Sequence, residues 1–137
     1  LPKGMLALQN DFVTLHGVLV AGTRGWSIPA EGSRDEDEIR IYQRERLRLE
    51  MSLRAARAKD PAARLIAMMH YPPCPEGAGE GFADLLKQYG VSDCVYGHLH
   101  GAGLAGALRG ERDGILYHQV SCDGLDFRLH EVCAVEE

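Results

Sequence analysis

Of the six histidines in the chain, His70, His98 and His100 have the neighbours and the spacing of metal ligands. His98 and His100 are two positions apart, so in extended backbone both imidazoles project to the same side and can serve one cation or two adjacent ones. Gly97 and Gly101 bracket them, relaxing the steric limits on a loop that must bring both rings to a common centre. His70 opens His70-Tyr71-Pro72-Pro73 directly after an apolar run. Neutral imidazole is a borderline donor that suits Mn, Fe or Zn better than Mg or Ca. His16, His118 and His130 lack such surroundings and read as hydrogen-bonded surface residues.

The elements that must position these rings follow from the pattern around them. Leu65 to Met69 is a continuous apolar run of strand length that delivers His70 to a loop, and Ser92 to Tyr96 is a second strand that ends in Gly97-His98-Leu99-His100-Gly101. Open α/β sheets collect ligands at such carboxyl ends of strands. Phe12 to Val20 predicts two short strands around Gly17, followed by a glycine-broken loop from Ala21 to Trp26. Ser33 and Glu36 form a capping box, and the acidic run Asp35 to Glu38 suits the positive end of a helix dipole. The helix that starts there carries an apolar stripe of Ile39, Tyr42, Leu49, Leu53 and Ala56 and stops at Asp60-Pro61. Its charges interleave, with Glu36–Arg40 and Glu50–Arg54 at four-residue spacing, so its polar side reads as a solvated face.

Phe82, Leu85, Leu86 and Tyr89 predict a short helix closed by Gly90. A glycine-rich connection from Gly101 to Gly114 follows, then strands over Ile115–Val120 and Asp126–Val132 flanking a turn at Asp123-Gly124. Strands separated by helices, then consecutive strands, imply a layered α/β architecture with helices on a mixed sheet.

Length and composition bound the rest. One hundred thirty-seven residues with 45% hydrophobic and 26% charged side chains make one globular domain. No apolar stretch approaches the ~20 residues of a membrane-spanning helix, so no membrane association is expected. The net charge of -5 gives no electrostatic reason to sit on nucleic acid. Cys74, Cys94, Cys122 and Cys133 show no Cys-x-x-Cys pair, which points to reduced thiols in a cytoplasmic protein. Leu1-Pro2-Lys3-Gly4 lacks a signal-peptide profile, and the chain is expected to begin partway through a longer protein.

Met69-His70-Tyr71-Pro72-Pro73 followed by Tyr96-Gly97-His98-Leu99-His100-Gly101 resembles the last two blocks of the calcineurin-like metallophosphoesterases, whose final signature is Gly-His-x-His. Gly22-Thr23-Arg24-Gly25-Trp26, the acidic helix opening and Val120-Ser121-Cys122-Asp123 extend the resemblance, towards a bacterial branch of predicted phosphohydrolases, over nearly the whole chain. The resemblance implies an αββα sandwich with mixed sheets, of which this chain would be the carboxyl-terminal part. It also implies a centre of two divalent ions, Mn, Fe or Zn, at which phosphate esters are hydrolysed. His70 and His98 would bind one ion and His100 the other.

The departures are equally specific. The family's Asp-x-His, Gly-Asp and Gly-Asn-His blocks are missing: none of the sixteen glycines precedes an aspartate, and the one asparagine, Asn10, is followed by Asp11. The chain therefore reads as a phosphoesterase half that supplies histidine ligands, is inactive alone, and needs an amino-terminal half of the domain as partner. The alternative is a non-catalytic metal-binding or interaction module that lacks the acidic ligands. Asp93 and Asp123 are the nearest acidic candidates, and a strand opening and a turn give each a structural role. Arg24, on a glycine-flanked loop, either offers a guanidinium fork to a substrate phosphate or is an ordinary salt-bridged arginine. Gly101 to Gly106 satisfies Gly-x-Gly-x-x-Gly, but no helix of sufficient length follows.

Overall fold

A computed structural model describes residues 1–74 and 81–136. It has a mixed α/β fold: one six-stranded mixed sheet and two α-helices. Strands β1 (Phe12–Leu15) and β2 (Val18–Thr23) form a hairpin. His16 and Gly17 between them both have positive φ, 48° and 82°, the paired left-handed conformation of a two-residue hairpin turn. Helix α1 (Glu36–Lys59) leads to β3 (Leu65–Met69), and helix α2 (Ala83–Gln88) to β4 (Asp93–Tyr96). Strands β5 (Gly110–Arg112) and β6 (Ile115–Gln119) complete the sheet in the order β1-β2-β3-β4-β6-β5. The central β2, β3, β4 and β6 run parallel, and the two edge strands run antiparallel to their neighbours.

The core lies between the helices and one face of the sheet. Leu49, Leu53 and Ala56 of α1 and Leu85 and Leu86 of α2 pack against Leu19, Ala21, Leu65, Ala67, Cys94, Tyr96 and Tyr117, alternate residues of successive strands. The predicted stripe of α1 is thus the buried one, but Glu45 and Ser52 are buried on it as well. Glu45 is completely enclosed, accepting from the Thr23 hydroxyl at 2.8 Å and pairing with Arg48 at 2.8 Å. The Ser52 hydroxyl accepts from the Gly22 N–H at 2.9 Å and donates to the Asp11 carbonyl, which fixes the helix to β2 and to the residue that leads into β1. Gly22 is required there: a Cβ would lie 1.9 Å from the Met68 carbonyl oxygen.

Several expectations need correction. The capping residue of α1 is Asp35, whose carboxylate accepts from the Glu38 N–H at 3.1 Å; the Ser33 hydroxyl accepts instead from the Asp35 N–H. Asp35 sits one residue before the helix and so reaches the orphan N–H groups that Ser33 is too early to reach. Residues Asp126–Val132 form no strand. Asp126 and Phe127 have φ of 51° and 56°, incompatible with extended chain, and both edges of β6 are already filled by β4 and β5. The glycine-rich connection does hold a strand, β5, joined to β6 by Asp113-Gly114 with φ of 52° and 80°. Gly101 opens a 3-10 turn, Gly101–Leu104, and no α-helix. Among the described residues no helix is long and apolar enough to cross a membrane.

Candidate functional site

Adjacent parallel strands end at one rim of the sheet, and their loops are laced by backbone bonds. The N–H groups of His70 and Tyr71 donate to the Arg24 carbonyl after β2, at 3.1 and 3.0 Å. Gly97 after β4 donates to the His70 carbonyl after β3 at 3.2 Å, and Val120 after β6 donates to the Tyr96 carbonyl at 2.8 Å. The rim thus carries His70, then His98 and His100, then Cys122 and Asp123.

The His70 and His98 rings meet there. His98 Nδ1 and His70 Nε2 are 3.1 Å apart, with the rings nearly perpendicular at 77°. His98 is held in the left-handed region at φ 69°, and the Leu99 N–H donates back to the Gly97 carbonyl at 2.8 Å, closing a three-residue turn around it. This turn is rare and strained for a residue with a side chain, at a cost on the order of 1–2 kcal/mol. Packing holds the ring in place: Tyr71 lies 4.2 Å from His98, Trp26 5.3 Å from Tyr71, and the Arg24 guanidinium 4.7 Å over Trp26. Burial and the neighbouring His70 and His100 rings hold the His98 pKa below its usual value, favouring the neutral ring that a metal requires.

His100 has a different partner. Its Nδ1 lies 2.8 Å from Asp123 Oδ1, while Asp123 Oδ2 accepts from the Gly101 N–H at 2.8 Å. The Gly101 N–H first, and the His100 ring second, hold the Asp123 carboxyl below its ordinary range. An ionised carboxylate only accepts, so His100 donates from Nδ1, and Nε2 is the ring nitrogen left to ligate. Ligand atoms of His100, Cys122 and Asp123 lie within 4.8 Å of one another, whereas those of His70, His98 and His100 form no such group of three. The imidazoles therefore divide into a His70–His98 pair and a His100–Asp123 pair. This donor set suits a borderline divalent cation.

Asp123 corrects the reading of that residue as a hairpin turn: it lies in the 3-10 turn Asp123–Leu125, with its carboxylate on His100. The sequence signal was its place just past the end of β6, but its value depends on β6 pairing with β4. Asp93 does take a structural role, buried against Arg64 at 2.7 Å and His118 at 3.0 Å. Arg24 is engaged by Glu45 at 3.4 Å and by Trp26, with its side chain half exposed. Cys94 is buried in β4, where burial pushes its thiol up and away from ligation or nucleophilic attack.

Two clefts flank the Pro72–Cys74 segment. A cleft of about 230 Å³, lined by Trp26, Ile28, Tyr71 and His98, reaches the His98 ring of the imidazole pair. A larger groove of about 780 Å³, lined by Tyr96, Leu99, Leu108, Arg109 and Arg112, has no imidazole on its wall. Comparison with protein-family models, with curated proteins and with solved structures finds no match to this chain.

Proposed function

We propose that this chain is the carboxyl-terminal part of a metal-dependent phosphoesterase of the αββα sandwich type, supplying histidine ligands to a pair of divalent ions. The observation that carries the reading is the approach of His70 Nε2 and His98 Nδ1 to 3.1 Å across the ends of two parallel strands, with His98 held in strained backbone. Strain at such a position is sustained when the surrounding structure over-determines it for use. The separate His100–Asp123 pair supports assigning His100 to a second ion. Bound divalent ions would supply Lewis acidity to the phosphate oxygens and lower the pKa of an attacking water.

The chain's own residues bind and orient. His70 and His98 offer two ring nitrogens at one place, and Asp123 fixes the His100 Nδ1 so that Nε2 faces outward. The Trp26–Tyr71 stack walls the 230 Å³ cleft and keeps the His98 ring from swinging away. A phosphate ester is the substrate class, and the remaining acidic ligands belong to an amino-terminal segment of the domain. A non-catalytic metal-binding module is the second reading. It is favoured by the loop after β2, where Arg24 to Trp26 offers the rim an arginine and no carboxylate.

The test is hydrolysis of p-nitrophenyl phosphate and bis-p-nitrophenyl phosphate with Mn²⁺ by the protein translated from the whole reading frame. His70→Ala, His98→Ala and His100→Ala should each lower turnover by orders of magnitude, with His16→Asn as an unaffected control. Metal binding without hydrolysis by the wild type would select the non-catalytic module. Equal activity across all variants would remove the site.

A further inference from the structure

A second histidine pair lies on the other face of the sheet, away from the helices and from the rim. His118 in β6 alternates with Tyr117, which faces the helical core, so His118 faces the opposite side. Asp93 in β4 shares that side and is the diagonal cross-strand neighbour of His118, being paired with Leu116. Asp93 Oδ1 lies 3.0 Å from His118 Nε2, while Oδ2 is taken by Arg64 at 2.7 Å and by the Ser92 hydroxyl at 2.6 Å. With Arg64 compensating its charge, Asp93 is an ionised acceptor, so His118 donates from Nε2 and turns the Nδ1 lone pair outward. Facing that lone pair, at 2.8 Å, is Nε2 of His130.

His130 arrives on the carboxyl-terminal segment, where no backbone hydrogen bond is found past Arg128 among the described residues. Its ring is exposed, and its contact with His118 ties this segment to the sheet. Among the described residues, only this pair and His70–His98 bring two imidazole nitrogens this close. A buried carboxylate behind one imidazole is the support that metal-binding histidines commonly have, because it fixes the tautomer and makes the ring more basic.

We propose that His118 Nδ1 and His130 Nε2 bind a borderline divalent cation of the Zn²⁺ class, and that this ion pins the carboxyl-terminal segment across the helix-free face. Metal–nitrogen bonds of about 2.0–2.1 Å place two ligand nitrogens roughly 3 Å apart, so the separation hardly changes. The nitrogens now face each other nearly head-on, with ring centroids 5.1 Å apart, so the His130 ring must turn until both lone pairs converge on the ion. Its exposed ring, on a segment with no backbone hydrogen bond past Arg128 among the described residues, permits that rotation. Water completes the coordination. Two neutral imidazoles with no thiolate or carboxylate in direct contact select Zn²⁺, Ni²⁺ or Cu²⁺ over Mg²⁺ and Ca²⁺. On binding, His130 exchanges its Nε2 proton for one on Nδ1 through solvent at its exposed ring, which frees the Nε2 lone pair for the ion and keeps the ring neutral.

The test uses Zn²⁺ alone on the full chain at pH 7.5, in a His98→Ala/His100→Ala background that removes both sets of rim ligands. Calorimetry should show a zinc equivalent that persists in this background and is lost when His130→Ala is added; His130 is exposed, so its removal leaves the fold intact. The second readout is tryptic cleavage after exposed Arg128. Zinc at ten times its dissociation constant should slow this cleavage about tenfold when His130 is present and leave it unchanged when His130 is alanine. Zinc stoichiometry and cleavage rates that are the same with and without His130 would overturn the site and leave a plain imidazole–imidazole hydrogen bond.

Discussion

Asp123 Oδ1 lies 2.8 Å from His100 Nδ1, and the same carboxylate holds the Gly101 N–H with its other oxygen. One acidic group thereby sets both the tautomer of a candidate ligand and the backbone that follows it. This contact joins the loop after β4 to the loop after β6, two segments brought side by side by the pairing of those strands.

Asp123→Ala should therefore weaken metal binding at His100 by about 10–100-fold, the usual effect of losing a carboxylate behind a ligating histidine. Mn²⁺ or Co²⁺ titration of wild type and variant measures it. An unchanged affinity would mean that Asp123 serves only the turn.

His98 supplies a test that separates strain from ligation. His98→Gly and His98→Ala both remove the ring, but only alanine retains the cost of φ 69°. The glycine variant should be more stable by about 1 kcal/mol in urea denaturation, with metal binding at the His70–His98 pair abolished in both. Equal stability would show that the backbone relaxes once the imidazole is gone.

Gly22→Ala should destabilise the protein by about 1–3 kcal/mol, because the new methyl meets main chain at Met68 and not a side chain that can rotate away. The strain falls between β2 and β3, and His70 N–H donates to Arg24 just beyond it. A shift in the urea midpoint accompanied by weaker metal binding is the expected pair of results. A midpoint within 0.3 kcal/mol of wild type, taken as about the additivity error of such measurements, would contradict it.

Tyr96 predicts the alkaline behaviour. Burial, with smaller contributions from Cys74 and Cys94, pushes its phenol up to about 12, and its hydroxyl donates to the Leu108 carbonyl at 2.6 Å. Burial pushes Tyr117 in the same direction. A folded-state pKa above the unfolded value of 10.0 means that this stabilisation is complete below pH 10 and is lost as pH rises through about 12. Denaturation midpoints should fall across that window, and absorbance at 295 nm should show delayed ionisation of two tyrosines. A flat profile to pH 12 would argue against the burial of both phenols.

Much of this arrangement was legible in one dimension because it rests on local chemistry. Leu65 to Met69 is apolar enough to be a central strand in any α/β context, and the spacing of Leu49, Leu53 and Ala56 selects the buried side of α1 regardless of its partner. His98-Leu99-His100 between two glycines marks the loop that carries two rings to the rim, but the expectation that both share one centre does not hold: His98 meets His70 and His100 meets Asp123. Local dipeptides were less decisive where two resembled each other. Asp113-Gly114 makes a hairpin and Asp123-Gly124 does not, because the free edge of β6 can be filled once only, and β5 fills it.

The tertiary structure alone decided which polar groups meet. Placing β6 beside β4 sets Asp123 on His100 at the rim and Asp93 under His118 on the far face, pairings separated by 23 and 25 residues. Glu45 looked like one more charge on a solvated helix, yet it is buried where Thr23, Arg24 and Arg48 surround it. Residue type and spacing determine what a side chain can do. Strand order determines what it faces, and strand order is set by non-local packing that no short window of sequence contains.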